Sequence, residues 1–484
     1  GPGMSDEFSS TKCLRTQSIS FMMSPMTPHC SVFRLLSGLI FGWIGFIQIH
    51  SQDTPLRVGV FVVDATPPLD TPLAYTNCDA IGMPLTARGI VLLGNDAPVV
   101  LCAVDWIGIS NDGQKEWRKA LAEAVNTTPD RVTVHTLHQH DAPRCDFSVE
   151  SMMAEQDLAG IMFDATFARQ TILRTAKAAA EAASNAQKIT HLGLGQARVE
   201  KVASTRRIMG PDGKVKAVRY TACKDPALRA EPEGTIDPMV KSMSFWNEDK
   251  PVVVLTWYAT HPQSYYLTGI AHPDFPGMAR YLRETTLNGI PHVHFTGAGG
   301  NVGAGKYNDG SPENRQVLAV RLAAGMSKAL TETVKTPVKA SDLQWNSQKV
   351  ALPVAKHLNE TELLNQLKDP TADPQQLTYV AKDLIWLRRC KAGEQLDIHC
   401  LTLNDASVLF MPGELAVEYQ LKAQAMQPDR FVAMAAYGEY AMGYICTKDQ
   451  YGQGGYEDSP RASKVAPEVE DVLLPAMKRL LGKP

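Results

Sequence analysis

Short apolar runs rich in β-branched residues alternate along this chain with segments of helical period, and that rhythm limits the folds open to it. Pro98-Val-Val-Leu-Cys-Ala-Val-Asp105 is apolar at odd and even positions alike, which predicts a strand buried on both faces. Arg57 to Asp64, Arg131 to His138, Pro251 to Trp257 and Phe431 to Ala436 read as further strands, and a hairpin-like pair runs into Val408-Leu-Phe-Met-Pro-Gly-Glu414. Gln114 to Val125, Ala165 to Ala186, Glu313 to Val334, Leu377 to Lys391 and Glu468 to Leu481 read as helices. The alternation predicts an α/β fold: a central mixed β-sheet flanked by helices, in a single large catalytic domain. No segment repeats along the chain, and Gly195 to Glu248 reads as irregular, with glycine and proline turns between short strands.

With 484 residues, 44% hydrophobic and 20% charged, the chain has the composition of a globular protein with ample core. A formal charge of −3 carries no basic stripe, so no nucleic-acid partner is expected. Residues 1–3 look like the remnant of a cleaved tag, 4–50 read as a signal peptide or N-terminal leader, and 55–484 as the catalytic domain. The leader reading rests on Leu35 to Ile49, apolar behind Arg34 and short for a membrane span; it implies export, to the periplasm or outside the cell, with anchoring through this segment as the other reading. No stable membrane span is expected in the mature protein. Of nine cysteines, seven follow the leader without any Cys-x-x-Cys pair; a disulfide between Cys390 and Cys400 is one expectation, and a zinc ribbon is not.

Chemistry gathers where the strands end. Thr133-Val-His-Thr-Leu-His-Gln-His-Asp-Ala-Pro143 holds three histidines, and in an extended strand His138 and His140 point the same way and can share a metal ion. His261 follows Pro251 to Trp257, Glu414 follows the Val408 run, and Tyr444 lies in Met442-Gly-Tyr-Ile445. Imidazoles, a carboxylate and a phenolate suit zinc.

These motifs together resemble the neutral, non-lysosomal ceramidases. His138-Gln-His-Asp-Ala-Pro143 is similar to that family's His-Thr-His-Ser-Gly-Pro, Trp257-Tyr-Ala-Thr-His-Pro-Gln-Ser264 to its Trp-Phe-x-x-His-x-Thr-Ser, and Met411 to Glu414 to its Met-Pro-Gly-Glu. Tyr444 to Glu457 resembles its tyrosine motif, and Asp64-Ala-Thr-Pro67 its Asp-Ile-Thr-Pro. The resemblance implies zinc (Zn2+) as cofactor with His138, His261, Glu414 and Tyr444 as ligands. It implies His140 as the acid/base, Tyr456 as donor to the oxyanion, and Arg206, or its neighbour Arg207, against the substrate carbonyl. Two departures stand out: the family's serine aligns with Gly303, and the chain ends soon after the tyrosine motif, where the family carries an immunoglobulin-like domain.

The expected function is zinc-dependent hydrolysis of an amide (N-acyl) bond by metal-activated water, on a small-molecule or lipid-like acyl substrate other than ceramide. The alternatives are an esterase or lactonase on a non-lipid substrate and a zinc-stabilised binding protein without turnover. Gly300 to Lys306 fits the spacing of a phosphate-binding loop, but Tyr307 replaces the required Ser or Thr and Asn308-Asp-Gly-Ser-Pro312 breaks the helix such a loop needs. Lys306 and Asn308 there are candidates to touch a polar substrate, and His292 and His294 are assigned to packing.

Overall fold

Strand-forming runs buried on both faces need cover on both sides, and the computed structural model, which describes residues 54–482, supplies it three times over. Three sheets turn their inner faces to one core, and helices cover each outer face. The first sheet has the strand order Val132–Thr136, Val99–Val104, Thr86–Leu93, Leu56–Asp64, Gln187–Ile189. The second runs His292–Thr296, Lys250–Tyr258, Met239–Asn247, His191–Arg198, Val334–Pro337, and the third Phe431–Ala435, Ala406–Phe410, Leu396–Leu403, Leu343–Val350. In each sheet the pairing is antiparallel except between the first two strands named. Each parallel strand is reached through a helix: Asp112–Ala124, Asp274–Thr286 and Val417–Met426. A second helix then follows: Ala165–Ser184, Glu313–Thr331 and Val469–Leu480.

The mixed α/β class with flanking helices is thus present, ten α-helices among the described residues, with the sheet divided into three. The chain path repeats three times although no sequence repeats, because the loops inserted between equivalent strands differ in length and content. Side chains alternate accordingly. Leu101 faces the shared core with Leu255, Phe295, Val408 and Phe410, whereas Val100 and Cys102 face Trp117 and Phe167 on the outer helices. Phe275 and Leu322 cover the second sheet, and Tyr419 and Leu473 the third. Each such fully buried side chain contributes on the order of 1.5–3 kcal/mol of transfer free energy.

Several expectations change. The irregular stretch ends early, since Met239–Asn247 is a central strand of the second sheet. Ser242, Ser244 and Lys241 interrupt its apolar pattern; the Lys241 ammonium donates to Gln196 Oε1 at 2.7 Å. Cys390 and Cys400 are free thiols, as are all seven described cysteines, because Cys400 lies in the core of the third sheet while Cys390 sits on the helix Pro374–Lys391. The leader, the tag remnant, Cys13 and Cys30 fall outside the described residues. Among those described, no helix is long and apolar enough to cross a membrane.

Candidate active site

The three parallel strands end at one place. Thr136 N–H donates to Tyr437 O (3.0 Å), Ala436 N–H to Thr296 O (2.9 Å) and Thr296 Oγ1 to Leu137 O (2.8 Å), so the strand ends close a ring of hydrogen bonds. Loops leaving these ends, and those of the neighbouring strands, bring the histidines and Glu414 together.

The alternation expected of His138 and His140 does not apply, because the strand stops at Thr136 and His138 adopts a left-handed backbone, φ 69°. The rings converge all the same, with centroids 5.2 Å apart. Nitrogens of His138, His140 and His261 lie within 4.8 Å of one another, a group that could hold a metal ion. Glu414 Oε2 stands 3.2 Å from His138 Nε2 and 3.9 Å from His261 Nδ1, and His140 Nε2 stands 3.2 Å from His261 Nε2.

The orientation of His138 is informative. Its Nδ1 lies 2.6 Å from the carbonyl of Ile107 and donates to it, which leaves Nε2 as the ring atom turned toward the site. That nitrogen faces an oxygen of Glu414. His138 Nε2, His261 Nδ1 and Glu414 Oε2 are all buried without a hydrogen-bond partner. A ring nitrogen and a carboxylate oxygen 3.2 Å apart in a dry site are held by a shared positive charge, a proton or a metal ion, and the donor types match a borderline divalent ion. The residues therefore fit a metal.

Their surroundings hold these groups in place. Tyr440 donates to Glu414 Oε1 at 2.8 Å, leaving Oε2 for the histidines. Burial pushes the Glu414 carboxyl up, but His138, Tyr440 and Arg206 together outweigh it and keep it below the usual carboxylate range. Burial holds His140 and His261 well below the ordinary imidazole range, reinforced by His138 and Arg206, so both are neutral near pH 7. Tyr437, also left-handed at φ 61°, stacks on His138 with centroids 4.4 Å apart.

Tyr444 lies parallel to His261, with ring centroids 6.3 Å apart. Its hydroxyl accepts from Arg206 Nη1 at 3.0 Å; the same nitrogen also donates to Gly300 O, and Arg206 Nε is 3.1 Å from Glu457. Arg207 turns away to Glu457 and Gln453, so Arg206 is the arginine of the pair that faces the site. Tyr456 is half-buried, its ring 5.5 Å from that of Tyr444. The glycine-rich loop presses backbone against backbone here: a Cβ on Gly300 would stand 2.4 Å from Glu414 O. Lys306 is spent on the carbonyls of Arg229, Ala230 and Glu231, and Asn308 on those of Thr221 and Ser264, so neither reaches the site. No helix opens between Gly300 and Glu313, which removes the phosphate-loop reading. His294 bonds Thr256 and His292 lies against Ile290 O, as packing groups do.

No family model matches the chain, and no curated protein matches it in sequence. Solved structures do. A ceramidase complexed with C2 superposes with a TM-score of 0.62 at 17% identity, over 88% of this chain and 74% of the other. The neutral ceramidase from Pseudomonas aeruginosa gives 0.62 at 18%, over 88% and 73%. The fold is that of the neutral ceramidases. A cavity of about 340 Å³ opens beside His138, His140 and Glu414, bordered by Tyr444, Tyr456 and the helix Pro374–Lys391. Sequence reasoning missed Tyr440 and Arg144 around it, and Tyr437 against the His138 ring. Arg144 follows the histidine motif by one residue past Pro143, and Tyr440 lies in the Tyr/Gly-rich loop, so position along the chain was the one available signal.

Proposed function

We propose that the chain is a zinc-dependent hydrolase of amide (N-acyl) bonds, acting on a substrate other than ceramide. The observation that carries this reading is the convergence of three buried nitrogen and oxygen atoms without hydrogen-bond partners, on His138, His261 and Glu414, at the rim of a cavity. These residues with Tyr444 would hold the zinc. When bound, zinc supplies Lewis-acid polarisation of the acyl carbonyl and lowers the pKa of water toward about 7.

The remaining steps belong to side chains. His140, neutral and unpartnered at Nδ1, accepts the proton of the attacking water and returns it to the leaving nitrogen. Tyr456, whose phenol burial pushes up, keeps its proton and donates it as a hydrogen bond to the developing oxyanion. Arg206, its guanidinium carbon 5.5 Å from the Tyr456 ring, adds positive charge beside that oxyanion while steadying Tyr444. Gly303, in place of a serine, offers no nucleophile, so water is the acceptor of the acyl group. The tyrosines and cations around the cavity support a polar substrate over a two-chain lipid.

Metal analysis tests the reading. About one zinc per chain is expected, lost in His138→Ala and Glu414→Ala; His140→Ala should keep the metal and lower kcat on N-acyl substrates about 10²- to 10⁴-fold. A wild-type protein that takes up no zinc would sink the reading, and turnover of esters with no amide hydrolysis would redirect it to the ester bond.

A further inference from the structure

Arg144 is buried at the cavity wall without a carboxylate. Its Nη2 donates to the Tyr379 hydroxyl at 2.7 Å, and its guanidinium lies 5.2 Å from the Tyr75 ring and 4.9 Å from that of Tyr379. Among the described residues no Asp or Glu is within ion-pair distance. Three other buried arginines face carboxylates, Arg206 with Glu457 (3.1 Å), Arg280 with Asp105 (2.7 Å) and Arg315 with Asp274 (3.3 Å); Arg219 and Arg283, also without one, are met by backbone carbonyls and by Thr286 and line no part of this cavity. Lys382, on the helix Pro374–Lys391, lies 5.0 Å over the Tyr440 ring and makes no hydrogen bond or ion pair among the described residues. The carboxylates nearby are committed elsewhere, Asp383 to Lys464 at 2.6 Å, Glu439 to Arg389 at 3.0 Å, and Asp146 to Asn111 at 2.6 Å and the Val149 N–H at 3.1 Å.

A charge buried without a counter-charge is costly, and a ligand of opposite sign removes that cost. Both cations stand one aromatic ring from the reacting groups. Arg144 touches Tyr75, whose ring is 5.6 Å from His140; Lys382 touches Tyr440, which donates to Glu414. Arg144 also belongs to the segment that carries His138 and His140, and its strand Arg144–Cys145 pairs in parallel with Gly108–Ile109, beside the Ile107 carbonyl that fixes His138. Met162, Leu363 and Val380 add apolar wall to the same cavity.

Resting on the hydrolase reading above, we infer that the substrate is an acyl compound bearing a carboxylate a few bonds from the scissile bond, with Arg144 and Lys382 binding that carboxylate and the apolar wall taking the acyl chain. N-acyl amino acids have this chemistry.

The test compares N-octanoylglycine with uncharged N-octanoylethanolamine on the zinc-loaded enzyme. A charge-assisted pair predicts kcat/KM about 10- to 100-fold higher for the carboxylate, mostly through KM. Arg144→Gln should cut that preference to within about threefold, and Lys382→Gln, at a half-buried helix position, should reduce it in part and serves if Arg144→Gln misfolds. An uncharged substrate turned over as well as the carboxylate, or a preference that survives both substitutions, overturns the inference. If neither compound is hydrolysed, the hydrolase reading fails separately. Calorimetric titration of N-octanoylglycine then decides the inference alone: binding weakened tenfold or more in Arg144→Gln upholds it, and absent or unchanged binding rejects it.

Discussion

The first and second repeats follow one chain path and put it to different uses. In both, a strand leaves the shared core just before the helix that leads to the parallel strand. In the second repeat that exit delivers His261 to the site. In the first it delivers Asp105, which accepts from Arg280 Nη1 and Nη2 at 2.8 and 2.7 Å and from Thr86 N–H at 2.8 Å, and so ties the first sheet to a helix of the second. The parallel strands reverse the assignment. The first repeat's exits into His138 and His140, whereas the second's exits into Gly297 to Gly300, bare backbone pressed against Glu414 and Thr260. One scaffold position can therefore hold the molecule together in one repeat and carry chemistry in another, and two strained residues at matching places, His138 and Tyr437, mark the exits that carry side chains.

Asp105→Ala tests the structural half of that contrast and should have the largest effect. Removing the carboxylate strands the Arg280 guanidinium in the core, a loss of about 3–5 kcal/mol in urea unfolding. Zinc uptake by the folded variant should stay at about one per chain. Loss of metal with unchanged stability would place Asp105 in the site and break the contrast.

Buried histidines outside the metal group give a second, smaller test. Burial lowers His135 to about 4 and His294 to about 3; the Ala436 carbonyl partly opposes the shift at His135, and Arg280 adds to that at His294. Both folded-state values lie below the unfolded one, so the unfolded chain binds protons first as pH falls below about 6.5. Stability is then fully present above about 6.5 and declines toward the folded pKa, by up to ~1.4 kcal/mol per pH unit for each histidine. His294→Asn should flatten that slope by about one proton while costing some stability at pH 7. An unchanged slope between pH 6 and 4 would show that His294 is not held neutral.

Strand ends are readable because the runs before them are apolar on both faces, as the shared core and the outer helices require; that position singles out His261 and Glu414, and their role as ligands comes from the family resemblance. The threefold path was not readable, since it resides in strand order and pairing direction, which leave no trace in composition. His138 and His140 were paired for a reason that does not hold: they converge through a left-handed turn, which histidine adopts at a cost that a period-two pattern cannot reveal. Tyr440 and Arg144 were invisible for a different reason. Each matters for what stands opposite it in space, Glu414 in one case and an open cavity in the other.

Gly303→Ser probes the emptier exit, that of the second repeat, and should have the smallest effect. Gly303 pairs with Ser204 in a short antiparallel ladder, and its φ is not positive, so a side chain is sterically compatible with the backbone. A Cβ there would lie 2.8 Å from Thr221 Cγ2, and Thr221 is buried, so its methyl has to move. That overpacking costs roughly 1–3 kcal/mol. The hydroxyl gains no role if water is the acceptor of the acyl group, and kcat/KM should stay within about threefold. A rise of tenfold or more, or a pre-steady-state burst from an acyl-enzyme, would mean that the glycine exit is a catalytic position vacated in this chain rather than a spacer, and the contrast between the repeats would shrink to one missing side chain.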